Sequence, residues 1–199
     1  MVFLQGMFKP SDILTIAQQC QQDAVGILPF DTLIGLTGVV SEPVISRIQT
    51  IKQRQDQPFI LILSDWNMLH DWVAPLSSSQ EMVLRHYWPG PITFLFKKHP
   101  RVPEYVTCSK PTIAIRMIEY LPINFLLKNL NQPIVSTSVN LTGEAPAMCL
   151  EDCSKSILSQ VDFMLDLCRP LYHQPSTIVD LSGAEPRCLR QGVIPYEAS

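Results

Sequence analysis

The chain has 199 residues, of which 46% are apolar, and this predicts one domain over residues 1–199 with a sizeable core. Its formal net charge of −3 excludes a global field that would draw it to nucleic acid or an anionic membrane, although a local basic groove is compatible with that charge. It has no apolar run near the ~20 residues that span a bilayer and no leader-like basic and apolar segment at residues 1–6, so we expect a cytoplasmic protein without a membrane anchor.

Helices and strands are predicted to alternate irregularly along the chain. A helix capped by Ser11 and Asp12 runs to residue 20, and a strand follows at 24–28. The apolar segment 33–40 contains Gly35 and Gly38, so its backbone must bend or approach another group closely, and Ser41 then caps a helix that ends near residues 52–54. The later elements are, in chain order, a strand at 59–63, a helix at 79–87, strands at 92–96 and 112–117, a helix at 121–130, a strand at 134–138, a helix at 151–160, and strands at 163–165, 177–180 and 188–190. The order favours an α/β (α+β) fold with a twisted mixed sheet covered by helices.

The strand at 134–138 changes at its end into a run of small polar side chains. Ser136, Thr137, Ser138 and Asn140 follow apolar residues directly. Buried hydroxyls and amides cost free energy unless they find partners, and ligands in open α/β sheets tend to bind at strand ends. The run therefore predicts contacts with a nucleotide or an amino-acid head group, or else an ordinary turn with local side-chain to backbone bonds.

Four basic residues are candidates for binding an anion. Lys52 and Arg54 stand where a predicted helix ends, and they either grip phosphate or carboxylate oxygens or interact with the C-terminal dipole of that helix. Arg116 ends a buried strand, so it either pairs with a carboxylate such as Glu119 or meets an anionic ligand. Arg190 presents the same choice.

Several common sites are not indicated by the sequence. The six cysteines and four histidines show no metal-ligand spacing, and reduced thiols are expected. The chain contains no P-loop, no G-x-G-x-x-G and no G-x-S-x-G motif. Thr32 follows a strand within a proline turn, and Ser176 precedes another strand, so each is compatible with a local turn or with binding.

Seven short motifs occur in a fixed order, and together they resemble those of the YrdC-like family. They are P-F-D-T-L-I-G-L at 29–36, K-Q-R at 52–54, W-P-G-P-I-T at 88–93, A-I-R at 114–116, S-V-N-L-T-G at 138–143, P-S-T-I-V-D-L at 175–181 and L-R-Q-G at 189–192. Each motif is weak alone, and the likeness extends from residue 24 to residue 194.

The resemblance to this family implies a mixed sheet with a concave basic groove. The active members of the family are threonylcarbamoyl-AMP synthases. The resemblance therefore also implies a reaction in which L-threonine, bicarbonate and ATP, with Mg²⁺ accompanying the ATP, give threonylcarbamoyl-AMP and pyrophosphate. Threonylcarbamoyl-transferase proteins then pass the group to an adenosine of tRNA.

The resemblance also implies roles for individual residues. The catalytic cations would be Lys52 and Arg54, which neutralise the phosphates or the carbamate. The nucleotide would be bound by Arg54, Thr112, Ser138, Asn140 and Arg190. L-threonine would be bound by Thr32, Arg116 and Ser176.

The chain departs from the family motifs at several positions. Gln57 stands where a second lysine is usual, Phe30 replaces the first threonine of its motif, and Ile34 replaces a common tyrosine. A proline-serine-proline stretch is degraded at residues 145–147. These changes leave open a non-catalytic paralogue that binds double-stranded RNA, from tRNA or rRNA, in the same groove. They also leave open a carbamoyl-transfer relative with another acceptor.

Overall fold

The computed structural model describes residues 2–6, 9–54, 57–167, 172 and 174–197. The strands in this part of the chain are β1 (Val2–Gln5), β2 (Gly26–Pro29), β3 (Ile34–Val39), β4 (Ile60–Leu63), β5 (Ile92–Lys97), β6 (Thr112–Met117), β7 (Ile134–Ser138), β8 (Phe163–Asp166), β9 (Thr177–Asp180) and β10 (Arg187–Arg190). The helices are α1 (Pro10–Cys20), α2 (Glu42–Ile51), α3 (Trp66–Leu69), α4 (Ser78–Tyr87), α5 (Glu104–Thr107), α6 (Leu121–Leu130) and α7 (Lys155–Leu158), and a 3₁₀ turn spans Leu150–Asp152.

The strands form one mixed sheet in the order β1-β8-β2-β3-β7-β4-β6-β5-β9-β10. The pairs β1–β8, β2–β8, β4–β6 and β5–β9 are parallel, and the other neighbouring pairs are antiparallel. This confirms the predicted mixed α/β fold.

Helix α2 shows why apolar spacing predicted the helices. Its residues Val44, Ile45, Ile48 and Ile51 are buried on one stripe, and it packs against β3. Full burial of such aliphatic side chains contributes roughly 1.5–3 kcal/mol each. Ser41 is the N-cap of this helix, as predicted, and its side chain accepts a hydrogen bond from the Val44 amide.

Two predicted helices differ from the structure. Helix α1 begins two or three residues earlier than expected because Pro10 takes its first position and Lys9 is its N-cap, so Ser11 and Asp12 lie inside the first turn instead of capping it. The helix predicted at 151–160 is wrong. A 3₁₀ turn ends at Asp152, extended backbone follows, and Ser154 caps the single turn of α7, because side chains that favour caps interrupt the segment.

The register of the sheet brings one row of side chains together beneath a cleft. Ser136 on β7 lies opposite Ile60 on β4, Ile60 lies opposite Ala114 on β6, and Ala114 lies opposite Leu95 on β5. Since side chains alternate along a strand, Ser138, Ile62 and Arg116 point to the same face two residues further on. The sheet therefore gathers polar residues from strands that are far apart in the sequence.

The described part of the chain contains neither a membrane-spanning helix nor a disulfide. None of its helices has both the length and the apolar character needed to cross a membrane. None of its cysteines is joined in a disulfide, and Cys168, which the prediction of reduced thiols also covered, lies outside the described residues.

Candidate functional site

A cleft of about 540 Å³ lies on this face of the sheet. Its apolar lining includes Ile60, Ile62, Leu95 and Ala114 from the sheet. The charged and hydroxyl side chains that line it are Thr32, Arg54, Thr93, Arg116, Ser136, Thr137, Ser138, Ser176 and Arg190. Six of the nine predicted site residues therefore line one cleft, and the exceptions are Lys52, Thr112 and Asn140.

Arg116 is a buried cation at one end of the cleft, with 4% of its surface exposed. Its Nη1 donates to Thr32 Oγ1 at 2.8 Å, its Nε donates to the Gly90 carbonyl oxygen at 3.1 Å, and its Nη2 forms an ion pair with Asp31. Burial lowers the pKa of the Arg116 guanidinium, and the Asp31 carboxylate opposes that shift. The named example of a partner, Glu119, was wrong, because the ion pair forms with Asp31, which is 85 residues away in the sequence.

A pair of hydroxyls holds Ser176 next to Arg190. Thr93 is fully buried, and its Oγ1 lies 2.9 Å from Ser176 Oγ. The Ser176 carbonyl oxygen accepts from Arg190 through Nε at 3.2 Å and through Nη2 at 2.8 Å. Sequence reasoning missed Thr93 as a site residue, although it is the last residue of the W-P-G-P-I-T motif.

Arg54 leaves the end of α2 and is held against one wall of the cleft. Its Nη1 donates to Gln57 Oε1 at 3.0 Å, and its guanidinium carbon lies 5.3 Å from the centroid of the Phe59 ring. Burial lowers the pKa of Arg54, and its buried Nε has no hydrogen-bond partner among the described residues. A cation in this state favours an anionic ligand in the cleft.

Lys52 does not line the cleft. Its side chain is among the most buried in the described structure, and its ammonium donates to the Ser138 carbonyl, the Asn140 carbonyl at 2.8 Å and Asn140 Oδ1 at 3.0 Å. Burial lowers the pKa of Lys52 to about 8, and the charge of Arg54 adds to that shift. The lysine contacts the site from behind, through the turn after β7.

Asn140 completes that turn and does not reach the cleft. Its Oδ1 accepts from Ser138 Oγ at 2.6 Å, and its Nδ2 donates to the carbonyls of Leu141 at 3.0 Å and Glu144 at 2.8 Å. Of the two interpretations of the polar run, local turn bonds describe Asn140, whereas Ser136 and Ser138 face the cleft.

Thr112 lies at the start of β6, opposite Lys97. It shares a sheet face with Ala114 and Arg116, but it is outside the residues that line the cleft. Elsewhere, the described residues contain no group of three or more His, Cys, Asp or Glu side chains that could hold a metal ion.

A family model named for Sua5, YciO and YrdC, with the description telomere recombination, matches residues 18–192. The chain belongs to this family. Its similarity to curated family members is moderate but long. It is 30% identical to the threonylcarbamoyl-AMP synthase of Vibrio vulnificus over 92% of this chain and 99% of that protein. It is 28% identical to the putative threonylcarbamoyl-AMP synthase of Methanocaldococcus jannaschii over 84% of this chain and 79% of that protein.

Solved structures of the family share the fold. Sua5 of Pyrococcus abyssi, crystallised with L-threonine, superposes with a TM-score of 0.89 at 23% identity over 96% of this chain. The chain spans 57% of the length of that Sua5 chain. E. coli YciO superposes with a TM-score of 0.85 at 23% identity, over 96% of this chain and 95% of its own.

Two positions at which the chain departs from the family motifs lie in the cleft wall. Phe30 is buried, and its ring packs so closely over Gly35 that a Cβ there would lie 2.6 Å from the ring and 2.6 Å from Ser136 Oγ. Ile34 lines the cleft beside them. Together they make this wall more apolar than the threonine and tyrosine of the family motif would.

Proposed function

We propose that the chain is a threonylcarbamoyl-AMP synthase, a nucleotidyltransferase that converts L-threonine, bicarbonate and ATP into threonylcarbamoyl-AMP, pyrophosphate and water. The observation that carries the proposal is the presence of three guanidinium groups and several hydroxyls in one cleft with a partly apolar lining. An amino-acid carboxylate and a nucleotide phosphate both require such donors. The names of the similar proteins support the same reaction.

In this proposal Arg116 binds the carboxylate of L-threonine. A guanidinium has five N–H donors, and the three bonds to Asp31, Thr32 and Gly90 leave two for a ligand. Asp31 keeps the planar group in one orientation. Thr32 and Ser176 add hydroxyls for the rest of the amino acid.

Arg54, Ser138 and Arg190 bind the nucleotide, with Arg54 on the phosphates. The Asn140 amide supports Ser138, and Thr112 stays a prediction as a more distant nucleotide contact. If Mg²⁺ accompanies ATP, the phosphate oxygens would hold it, because oxygen ligands are those it prefers, and it would offset phosphate charge.

The chemistry needs positioning and charge neutralisation more than a protein nucleophile. The deprotonated threonine amine captures carbon dioxide from bicarbonate as a carbamate. A carbamate oxygen then attacks the α-phosphorus, the bond from that phosphorus to the bridging oxygen breaks, and pyrophosphate leaves. Arg54 offsets the negative charge that gathers on the phosphates.

The test is pyrophosphate release by the purified chain. We expect release only when ATP, L-threonine and bicarbonate are all present, and a loss of at least about 100-fold in kcat/KM, or about 2.7 kcal/mol, for Arg54→Met. Arg187→Met is the matched control, because Arg187 is exposed and lies outside the cleft. Release without threonine, or no release, contradicts the proposal.

The reactive adenylate would then be consumed by a transferase protein that modifies tRNA, so tRNA is an indirect partner in this proposal. The alternative is a non-catalytic paralogue that binds double-stranded RNA in the same groove. One observation favours the loss of catalysis in this alternative: Gln57 lacks the charge of the usual lysine beside Arg54. Salt-sensitive binding of double-stranded RNA with no pyrophosphate release would support this alternative.

A further inference from the structure

Lys52 is bonded to one short segment through both its side chain and its backbone. The side chain donates to the Ser138 carbonyl and to the carbonyl and Oδ1 of Asn140. The Lys52 carbonyl accepts from the Thr142 amide at 3.3 Å and from Thr142 Oγ1 at 3.1 Å. All five bonds join the end of α2 to residues 138–142, which we call the 138–142 turn.

Every N–H donor of the Lys52 ammonium is already used in a hydrogen bond within the protein. A protonated lysine carries three N–H donors, and the turn supplies three acceptors for them. Only 1% of the surface of Lys52 is exposed, and it does not line the cleft. A phosphate could reach this nitrogen only if the turn moved and left its carbonyl oxygens without their donor.

The other side of the turn faces the cleft. Ser138 lines the cleft, and its hydroxyl donates to Asn140 Oδ1, the same oxygen that accepts from Lys52. The position of the Ser138 hydroxyl therefore depends on the ammonium through one shared atom. Hydrogen bonds arranged in such a chain polarise one another and restrict each other's geometry.

The geometry points to Lys52 as a positioning residue: it holds the 138–142 turn from behind and so presents Ser138 to the nucleotide, without touching phosphate itself. This inference rests on the proposed function for the identity of the ligand. The role of Lys52 in holding the turn does not depend on that function. It assigns direct phosphate contact to Arg54 alone within the K-Q-R motif. The two cations of that motif thus have different tasks.

The test compares the binding of ATP and AMP to Lys52→Met and Arg54→Met by calorimetry. Replacing a residue that touches the β- and γ-phosphates weakens the binding of ATP more than that of AMP. Replacing a residue that only holds the 138–142 turn weakens the binding of both nucleotides alike. We expect Lys52→Met to weaken both nucleotides by the same factor, within about threefold. We expect Arg54→Met to weaken ATP at least about 10-fold more than AMP, which is about 1.4 kcal/mol. A selective loss of ATP binding in Lys52→Met would overturn the inference.

Amide hydrogen exchange tests, without any nucleotide, whether Lys52 holds the 138–142 turn. Lys52→Met should speed exchange at residues 138–142 and leave β6 unchanged. Thr142→Val removes one of the five bonds, so it should also speed exchange in the turn, but to a smaller extent. Because Thr142 is exposed, we expect this variant to fold even if Lys52→Met does not. Unchanged exchange in the turn would overturn the inference. If the wild type binds no nucleotide, the proposed function fails while this arm still decides the role of Lys52.

Discussion

Gln57 accepts a hydrogen bond from Arg54, with 3.0 Å between Nη1 and Oε1, at the position where the family motif carries lysine. A lysine cannot accept that bond, so this chain has exchanged a second cation for a group that orients the first. The Gln57 carbonyl oxygen lies 3.4 Å from Nη2 of the same guanidinium. The positive charge on this wall of the cleft is therefore smaller, but the guanidinium that carries it is held in one orientation.

Gln57→Lys should tighten ATP binding. One charged hydrogen bond to a phosphate contributes on the order of 1–3 kcal/mol, so we expect the KM for ATP to fall about 10-fold and its salt dependence to steepen. Gln57→Ala should raise the KM, because Arg54 loses its acceptor. Gln53→Lys is the control, since it adds the same charge outside the residues that line the cleft. A KM for ATP that rises in Gln57→Lys would show that the lost acceptor matters more than the added charge.

Asp31→Asn should destabilise the fold and weaken threonine binding. The change leaves the buried guanidinium of Arg116 without its anionic partner, which costs about 3 kcal/mol of unfolding free energy. Urea unfolding and the KM for L-threonine measure the two effects. Glu104→Gln, which breaks an ion pair with Lys98 whose carboxylate is exposed, should change the urea midpoint little. Equal stability of the Asp31 and Glu104 variants would refute this prediction.

Thr93→Val should disturb the amino-acid end of the cleft although Thr93 itself is fully buried. The substitution leaves Ser176 Oγ without the hydroxyl at 2.9 Å, at a cost of about 1–2 kcal/mol. We expect the KM for L-threonine to rise several-fold while kcat changes little. Thr93→Ser keeps the hydroxyl and should keep the KM. If Val and Ser raise the KM equally, packing and not the hydroxyl pair positions Ser176.

The pH dependence of stability should report the buried charge of Lys52. Its pKa is about 8 in the fold and near 10.5 when unfolded, so between these values the unfolded chain binds more protons and stability rises with pH. The charged groups near the turn are Glu144 and Arg54, and burial lowers the pKa of Arg54 as well. The difference in unfolding free energy between the wild type and Lys52→Met should therefore increase from pH 8 to 10.5 in urea titrations. A difference in unfolding free energy that does not change with pH would contradict this prediction.

Local patterns predicted much of the fold because the relevant forces act over a few residues. The bounds of β6, β7, β9 and α6 were predicted as they are observed, since each contains an apolar stretch with a proline beside or near its start. The helix at 151–160 failed because caps inside it offered its backbone alternative bonds. The one-turn helices α3 and α5 are too short for periodicity to reveal.

The site could be predicted only as a set of residues, not as a geometry. Arg116 and Asp31 are 85 positions apart, and Thr93 and Ser176 are 83 apart, so no local pattern pairs them. Lys52 follows a helix, where basic residues are commonly exposed, and only the arrangement of α2 against the 138–142 turn buries it. The resemblance to the family gave the residues, whereas the sheet register gave their relative positions.

The central claim is that one cleft joins a carbamate of threonine to AMP. Mass spectrometry of the products formed with ¹³C-bicarbonate, ATP and L-threonine tests it most directly. The account predicts a threonylcarbamoyl-AMP ion that is about one mass unit heavier than the product of ordinary bicarbonate, and this ion should disappear in Arg54→Met. An adenylate that carries no label, or pyrophosphate release with no adenylate that contains threonine, would contradict it.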